Sequence, residues 1–364
     1  MHTRWKTIAS VLPPPITGAV CGITAAVLFG ISPPLTKLLL KETSPLVLAG
    51  LLYLGAGLGL SLYEALVYRW RSFASREAPL QRSDLRYLVG IICCGGMLGP
   101  VLMLVGLQRI SGVMGSLLLN LEAPLTILLA LVLFREHLGF RESVGSGLII
   151  LGGVVLTIHP ETVTADLLGM LALCGATFSW ALDNNLTQHL SSLRDPLALT
   201  RIKTFAAGII LLLLALPFDQ TWPSLGTTFT IMFLGLLSYG MSLVLDTYAL
   251  RLLGAAREAA YFSTAPFIGA IAAVPLLGEQ WGPRDFLAAT IIVGGLILLL
   301  GAHHRHEHVH EEAEHDHVHR HGTHHVHAHP DEEAISEPHA HAHRHLTFTH
   351  DHPHVSELHH RHSH

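Results

Sequence analysis

Histidine at every second position is the first chemistry on offer: His306, His308 and His310; His315, His317, His319 and His321; His325, His327 and His329; then His339, His341, His343 and His345. The pattern resumes at His350, His352 and His354 and again at His360, His362 and His364. Neutral imidazole ligates zinc, nickel, copper and cobalt. A spacing of two in a flexible chain lets several rings wrap one ion, with the interspersed Asp and Glu supplying charge. The segment is therefore expected to bind a divalent transition metal, nickel, zinc or cobalt. The plainer reading is a solvated low-complexity extension whose imidazoles titrate near neutrality. His306-Glu307-His308-Val309-His310 also spells the zinc-peptidase pattern, but that chemistry needs a helix held in a packed domain. No enzymatic activity is expected from it.

The second chemistry is sparse and intramembrane in character. Glu122 stands alone inside a long apolar run, where a carboxylate is costly and marks a pathway by default. It can carry a coupling proton or bind a cation; the plainer reading is a neutral acid bonded to a carbonyl opened by Pro124. Pro33 and Pro34 interrupt one apolar run, and Asp183, Asn184 and Asn185 interrupt another at the equivalent turn. Proline removes a backbone donor and kinks a helix, while Asp and Asn compete for backbone hydrogen bonds. Both stretches are expected to break the same helix of a repeat and line a passage. Asp246 is a further candidate, with a surface ion pair to Arg251 as its alternative. Lys203 and Glu64 read as side chains snorkelling from span ends. Cys93 and Cys94 read as packing residues, and His137, His159 and His189 as interfacial.

The elements that must position these residues are legible from composition. Of 364 residues half are hydrophobic and 13% charged, against about 25% charged in soluble domains. Residues 303–364 hold 24 of the 28 histidines, eleven acids and four arginines, a formal −7; the whole chain is −5, so residues 1–302 carry +2. Apolar segments of about 20 residues, enough to cross a bilayer, fall at 17–40, 45–68, 84–107, 110–134, 142–159, 167–190, 196–217, 226–250, 254–277 and 284–302. The expected organisation is a segment 1–16, a five-span unit 17–159, a second five-span unit 167–302, and a tail 303–364. With no apolar face the tail cannot build a core and is expected to be disordered. Cys21, Cys93, Cys94 and Cys174 all lie in apolar stretches, which is not a disulfide framework.

The second unit repeats the first. Phe29-Gly30-Ile31-Ser32-Pro33-Pro34-Leu35-Thr36 overlays Trp180-Ala181-Leu182-Asp183-Asn184-Asn185-Leu186-Thr187. Glu122-Ala123-Pro124-Leu125 overlays Thr264-Ala265-Pro266-Phe267, and Gly152-Gly153 overlays Gly294-Gly295. Five spans per repeat is an odd number, so the repeats must lie upside down relative to each other. Charge agrees: Arg69, Arg71, Arg76, Arg82 and Arg86 follow the second span, whereas 217–226 after the seventh holds no Lys or Arg. Basic loops stay cytoplasmic, which places both termini and the tail in the cytoplasm.

Across 17–302 the chain resembles the drug/metabolite transporter superfamily in its ten-helix EamA-type branch. The residues that carry the resemblance are Leu119-Asn120-Leu121-Glu122-Ala123-Pro124-Leu125, Arg135-Glu136, the glycine-rich fifth and tenth spans, and Phe178-Ser179-Trp180-Ala181-Leu182-Asp183-Asn184-Asn185-Leu186-Thr187. The resemblance implies an all-α integral membrane transporter with a cavity between two inverted repeats. It does not specify a substrate, and the histidine tail is no part of the common pattern. The expected function is a proton-coupled secondary transporter of a bacterial-type inner membrane, exporting a divalent transition metal by alternating access. Export of a small organic metabolite or drug, with the tail as a metal-responsive regulator, is the alternative, and a membrane-anchored metal store or sensor is the third. The expected partners are the solute and the lipid bilayer, with no nucleic acid; no cofactor is required, and the oligomeric state, a homodimer included, stays open.

Overall fold

Twenty apolar residues without water to satisfy their backbone have one local solution, the α-helix, and the body of the computed structural model consists of helices. It describes residues 14–68, 80–134, 139–157, 163–191, 194–253, 258, 261–300, 304–310, 313–319, 339–345 and 348–354. Glu136, His137, His159, His321, His325, His327 and His329 lie outside the described residues, as do Arg69, Arg71, Arg76 and most of segment 1–16. The helices are α1 (Pro14–Gly30), α2 (Ser32–Leu39), α3 (Pro45–Tyr68), α4 (Leu85–Ile91), α5 (Gly99–Leu107), α6 (Gly112–Leu118), α7 (Glu122–Phe134) and α8 (Phe140–Thr157) in the first half. The second half holds α9 (Val163–Ser191), α10 (Pro196–Ala215), α11 (Leu225–Gly235), α12 (Ser242–Leu253), α13 (Ala265–Leu277) and α14 (Pro283–Leu300). Joined end to end where they continue one another, they make ten passes. Among the described residues seven are long and apolar enough to cross a membrane, and Ala265–Leu277 is a shorter apolar helix. Leu62, Val132, Phe140, Leu213, Phe229 and Ile271 lie on the outer surface, exposed apolar side chains suited to lipid.

Packing follows the inverted repeat. The most extensive helix contacts are α3 with α10 and α8 with α14. Each pair joins a span to its own counterpart in the other repeat, as an axis of two-fold pseudosymmetry requires. Around it, α1 packs on α12 as α9 packs on α5. Close approach at the axis depends on missing side chains: a Cβ on Gly57 would lie 2.5 Å from the Phe205 Cα and 2.6 Å from its backbone nitrogen.

The breaks in the helices differ from expectation. The first span does break, at Ile31 between α1 and α2, with the prolines in the first turn of α2. Its counterpart does not: Asp183, Asn184 and Asn185 sit inside one continuous 29-residue helix, α9. Asp183 pairs with Lys203 on α10 and Asn184 donates to Glu122 on α7, while Asn185 donates to the Thr126 and Ala181 carbonyls without interrupting the helix. The break shared by both repeats falls elsewhere. The fourth span turns through a 3-10 step at Leu119–Leu121 before α7, and the ninth turns at 263–264 before α13. Glu122 and Thr264 stand at these matching breaks, with Pro124 and Pro266 in the turn that follows.

A second shared irregularity has no signature in composition. The third and eighth spans each contain a π-helical stretch, Ile92–Leu98 and Leu236–Met241. Shifted by the 142 residues that separate Glu122 from Thr264, the first maps to 234–240 and overlaps the second. π-helical turns occur often at functional sites.

One end of the bundle is tied both within the first repeat and across the two. The Lys37 ammonium donates to the Leu107 carbonyl at 2.9 Å and to the carbonyl of Ile110. The Gly112 and Val113 amides donate to the two Glu279 carboxylate oxygens at 2.7 and 2.8 Å. Thr221 N donates to Ser44 Oγ at 2.7 Å. At the opposite end Arg194 reaches Asp84 at 2.6 Å, and Arg251 donates to the Ser191 and Arg194 carbonyls, each at 2.6 Å.

Within the tail the structure describes two antiparallel strand pairs, β1 (His304–His310) with β4 (Phe348–His354) and β2 (Ala313–His319) with β3 (His339–His345). Composition alone did not lead to these pairings; alternation with period two is the strand period. A lone two-stranded ladder is at best marginally stable in water, and the described residues of these pairs build no packed core between them.

Candidate functional site

Burying charge in a helix bundle is costly unless each group finds a partner, and the partners here define a cavity. With the solvent it opens onto, its empty space is about 740 Å³, and it is lined from α1, α3, α7, α9, α10, α12, the residues before α13 and the first turn of α13. Four carboxyl groups reach it, Glu122, Asp183, Asp246 and Glu258, against one lysine, Lys203. Its apolar wall is largely aromatic: Phe29, Tyr53, Trp180, Tyr239 and Phe262. Phe29 lies edge-on to Trp180 and Tyr239, with ring centroids 5.9 and 5.7 Å apart, and Tyr53 lies 5.3 Å from Tyr239.

Two polar clusters hold this wall in place. Lys203 on α10 makes an ion pair with Asp183 on α9, and both are buried. Thr187, one turn on, donates to the other Asp183 oxygen at 3.3 Å. Across the cavity the Asn184 amide donates to Glu122 at 2.6 Å, which ties α9 to the start of α7. The Asn185 amide donates to the carbonyls of Thr126 and Ala181, at 3.1 and 2.8 Å.

The π-helical turn of the third span fits against this cluster. It packs on α9 and α10, where Gly95 leaves room for the Asp183 carboxylate. The Gly95 carbonyl accepts from Tyr53 Oη at 2.7 Å and Trp180 Nε1 at 3.3 Å. In the matching turn of the eighth span Ser238 donates to the Leu28 carbonyl at 2.7 Å, and Tyr239 is 3.3 Å from Ser32 Oγ.

Among the described residues two buried acceptors lining the cavity have no hydrogen-bond partner, Asn120 Oδ1 and Glu258 Oε1. Asn120 uses its amide on the Leu117 carbonyl at 3.1 Å, which turns the oxygen away from that bond. Three of the four acids are uncompensated by the lysine, and the spare side-chain acceptors add to the excess of negative character. The arrangement suits a ligand that brings positive charge and hydrogen-bond donors.

Of the residues singled out from sequence, Glu122, Asp183, Asn184 and Asp246 come together at this cavity. Asn185 is buried but bonds within the α7–α9 contact rather than lining the cavity, and Pro33 and Pro34 are buried beside Ser32 without lining it. For Asp246 the alternative of a surface ion pair with Arg251 gives way, because Asp246 is buried in the cavity while Arg251 bonds to carbonyls. One reading needs correction. Lys203 does not snorkel; seven residues into α10, it is 6% exposed and bound to Asp183. Glu64 pairs with Arg201 at 2.9 Å, and His189 packs on Tyr87 with centroids 4.8 Å apart. Glu258 and the aromatic wall were not anticipated. Glu258 offered a signal, an acid at the start of an apolar run, but it falls where the sequence reads as a span boundary.

The comparisons agree with this architecture. Residues 16–158 and 167–301 each match the EamA-like transporter family. A protein of Methanothermobacter thermautotrophicus described as an uncharacterized transporter is 29% identical over 300 residues, 78% of this chain and 85% of that protein. An uncharacterized protein of Pseudomonas aeruginosa is 31% identical over 191 residues, 51% of this chain and 64% of the relative. A crystal structure shares the fold with a TM-score of 0.58 at 17% identity, over 77% of this chain and 94% of that one. With both halves of its body matched in this way, the chain belongs to the EamA-like transporter family.

Proposed function

We propose that the protein is a secondary transporter that moves a small organic cation by alternating access, driven by a proton gradient. The carrying observation is the cavity: an excess of carboxylates and unpartnered acceptors inside an aromatic wall. Aromatic faces attract an ammonium or other organic cation electrostatically, the more so when it is desolvated. In this reading Glu122 is the counter-charge for the substrate and the Asn184 amide orients it. The Asp183–Lys203 pair is structural and keeps the α9–α10 contact neutral. Inter-repeat ties stand at both ends, Glu279 to the Gly112 and Val113 amides and Thr221 to Ser44 at one and Arg194 to Asp84 at the other, and alternate loosening of the two sets is the rocking step. Basic residues after the second span support a cytoplasmic position for the Asp84–Arg194 end, and a histidine tail on that same side supports export as the direction.

A second reading, efflux of nickel, cobalt or zinc, is favoured by one observation, the 24 histidines of 303–364. Those residues would collect metal on the cytoplasmic side. The cavity gives that reading less support, since no His or Cys is among its lining residues, and soft or borderline ions favour such ligands.

The test is transport by purified full-length protein in liposomes with an imposed pH gradient, using tetraphenylphosphonium and, separately, nickel and zinc ions. Accumulation of the organic cation, reduced to background by Glu122→Gln with folding intact, is the expected result. Movement of nickel or zinc instead, lost with the same substitution, replaces the organic-cation reading with the metal one. A chain deleted from residue 303 keeps full organic-cation transport if the tail only senses or stores metal.

A further inference from the structure

Asn120 stands in the 3-10 step of the fourth span, two residues before Glu122. It is 2% exposed and lines the cavity. Its amide nitrogen donates to the Leu117 carbonyl at 3.1 Å, which fixes the orientation of the side chain and leaves Oδ1 as the spare group. Among the described residues that oxygen has no partner. Ser116, one turn earlier, does not supply one, since its own hydroxyl is buried and unpartnered too. A buried acceptor left unpaired is costly, and each one in a native structure calls for an explanation.

The donors around the cavity are turned elsewhere. Lys203 donates to Asp183 and the Asn184 amide to Glu122 at 2.6 Å. Tyr53 Oη and Trp180 Nε1 both donate to the Gly95 carbonyl, and Thr126 Oγ1 donates to the Glu122 carbonyl at 2.8 Å. Each of these side chains lines the cavity, and each is engaged with a protein acceptor. Asn120 Oδ1 is left for a donor that arrives with the ligand.

The inverted repeat shows that the fold does not ask for this group. Moved forward by 142 residues, Asn120 falls on Phe262, which lines the same cavity with a ring, as Glu122 falls on Thr264. The break in the first repeat therefore offers an amide oxygen and a carboxylate. The matching break in the second offers an aromatic face, its centroid 5.3 Å from that of Phe29. A ligand with a charged N–H end and an apolar remainder fits that division.

We propose that Asn120 determines specificity by accepting a hydrogen bond from an N–H of the bound cation, so that the substrate class is protonated amines rather than quaternary ammonium or phosphonium ions. The inference deepens the organic-cation reading and rests on it. Glu122 and the aromatic wall attract any organic cation. A cation without an N–H is held by these alone, more weakly, because it leaves the Asn120 oxygen unmet. A site built to hydrogen-bond an N–H rejects the analogue that lacks it for the same reason.

The test is equilibrium binding of two matched cations to purified full-length protein at neutral pH: 2-phenylethylammonium and its N,N,N-trimethyl counterpart. The amine should bind about tenfold more tightly, the order expected for one buried acceptor met or unmet. In Asn120→Leu, or in Asn120→Ala if leucine prevents folding, the two Kd values should converge while the quaternary ion still binds. Asn120→Asp, which keeps an acceptor, should keep the preference. Glu122→Gln should weaken both cations together and leave their ratio unchanged, which separates the two residues. Equal binding of both cations by the wild type overturns the proposal and leaves the organic-cation reading standing. A preference that survives Asn120→Leu and Asn120→Ala also overturns it, since size alone then discriminates. If the folded wild type binds neither cation, the organic-cation reading fails and this inference falls with it.

Discussion

Lys203→Met is expected to destabilise the protein by about 3–5 kcal/mol, the usual cost of leaving one member of a buried ion pair without its partner. Lys203 and Asp183 are 6% and 4% exposed and face each other between α9 and α10. Methionine fills much of the space of the lysine stem but leaves the Asp183 carboxylate with one Thr187 hydroxyl. The double variant Lys203→Met/Asp183→Asn removes both charges and should regain most of the loss, because asparagine keeps a polar group for Thr187. Thermal unfolding of the purified protein in detergent reads this out. If the single variant melts with the wild type, the pair is not buried as described. If the double variant is no better than the single, the lysine matters for packing rather than for charge.

Gly57→Ala should be the most damaging single-methyl addition tested, at about 1–3 kcal/mol, because overpacking a well-packed interior forces the backbone to move. The new Cβ would meet the backbone of Phe205, a wall with no rotamer to yield. Membrane helices associate through close packing rather than through a hydrophobic drive, so a forced separation of α3 and α10 weakens the central contact of the bundle. Gly294→Ala is the matched control: its Cβ would meet nothing within 4 Å. The two variants should separate clearly in thermal unfolding, and equal melting temperatures would show that the axis contact tolerates a methyl group.

Both glycines looked alike in the sequence, each a small residue in an apolar span, and only the neighbour across the interface tells them apart. The ten spans and their inversion were legible because length, hydropathy and an odd repeat count are properties of the chain itself. Glu122, Asp183 and Asn184 were legible for the same reason, as polar groups far from a span end. Lys203 was misread because depth was judged from distance to the boundary, when its partner on α9 decides where the ammonium goes. Asp246 was a candidate with a surface ion pair to Arg251 as its alternative, because it stands near a span end; only the fold, which buries it in the cavity, decides between the two. The aromatic wall was invisible because its five rings come from α1, α3, α9, the second π-helical turn and the residues before α13, which meet only in the fold.

The continuity of α9 bears on how the chain enters the membrane in the first place. Although 29 residues long, Val163–Ser191 is not among the seven helices apolar enough to cross a membrane by composition. An Asp near the centre of an inserting helix costs about 2.5–3.5 kcal/mol on the scale set by cellular insertion, and Asn184 and Asn185 add to the burden. The group that neutralises Asp183 is synthesised 20 residues later, on α10. Insertion of this stretch is therefore a property of the α9–α10 hairpin: a nascent chain stopped after Ser191 should leave α9 largely outside the bilayer, and one extended through Leu216 should carry both helices in together.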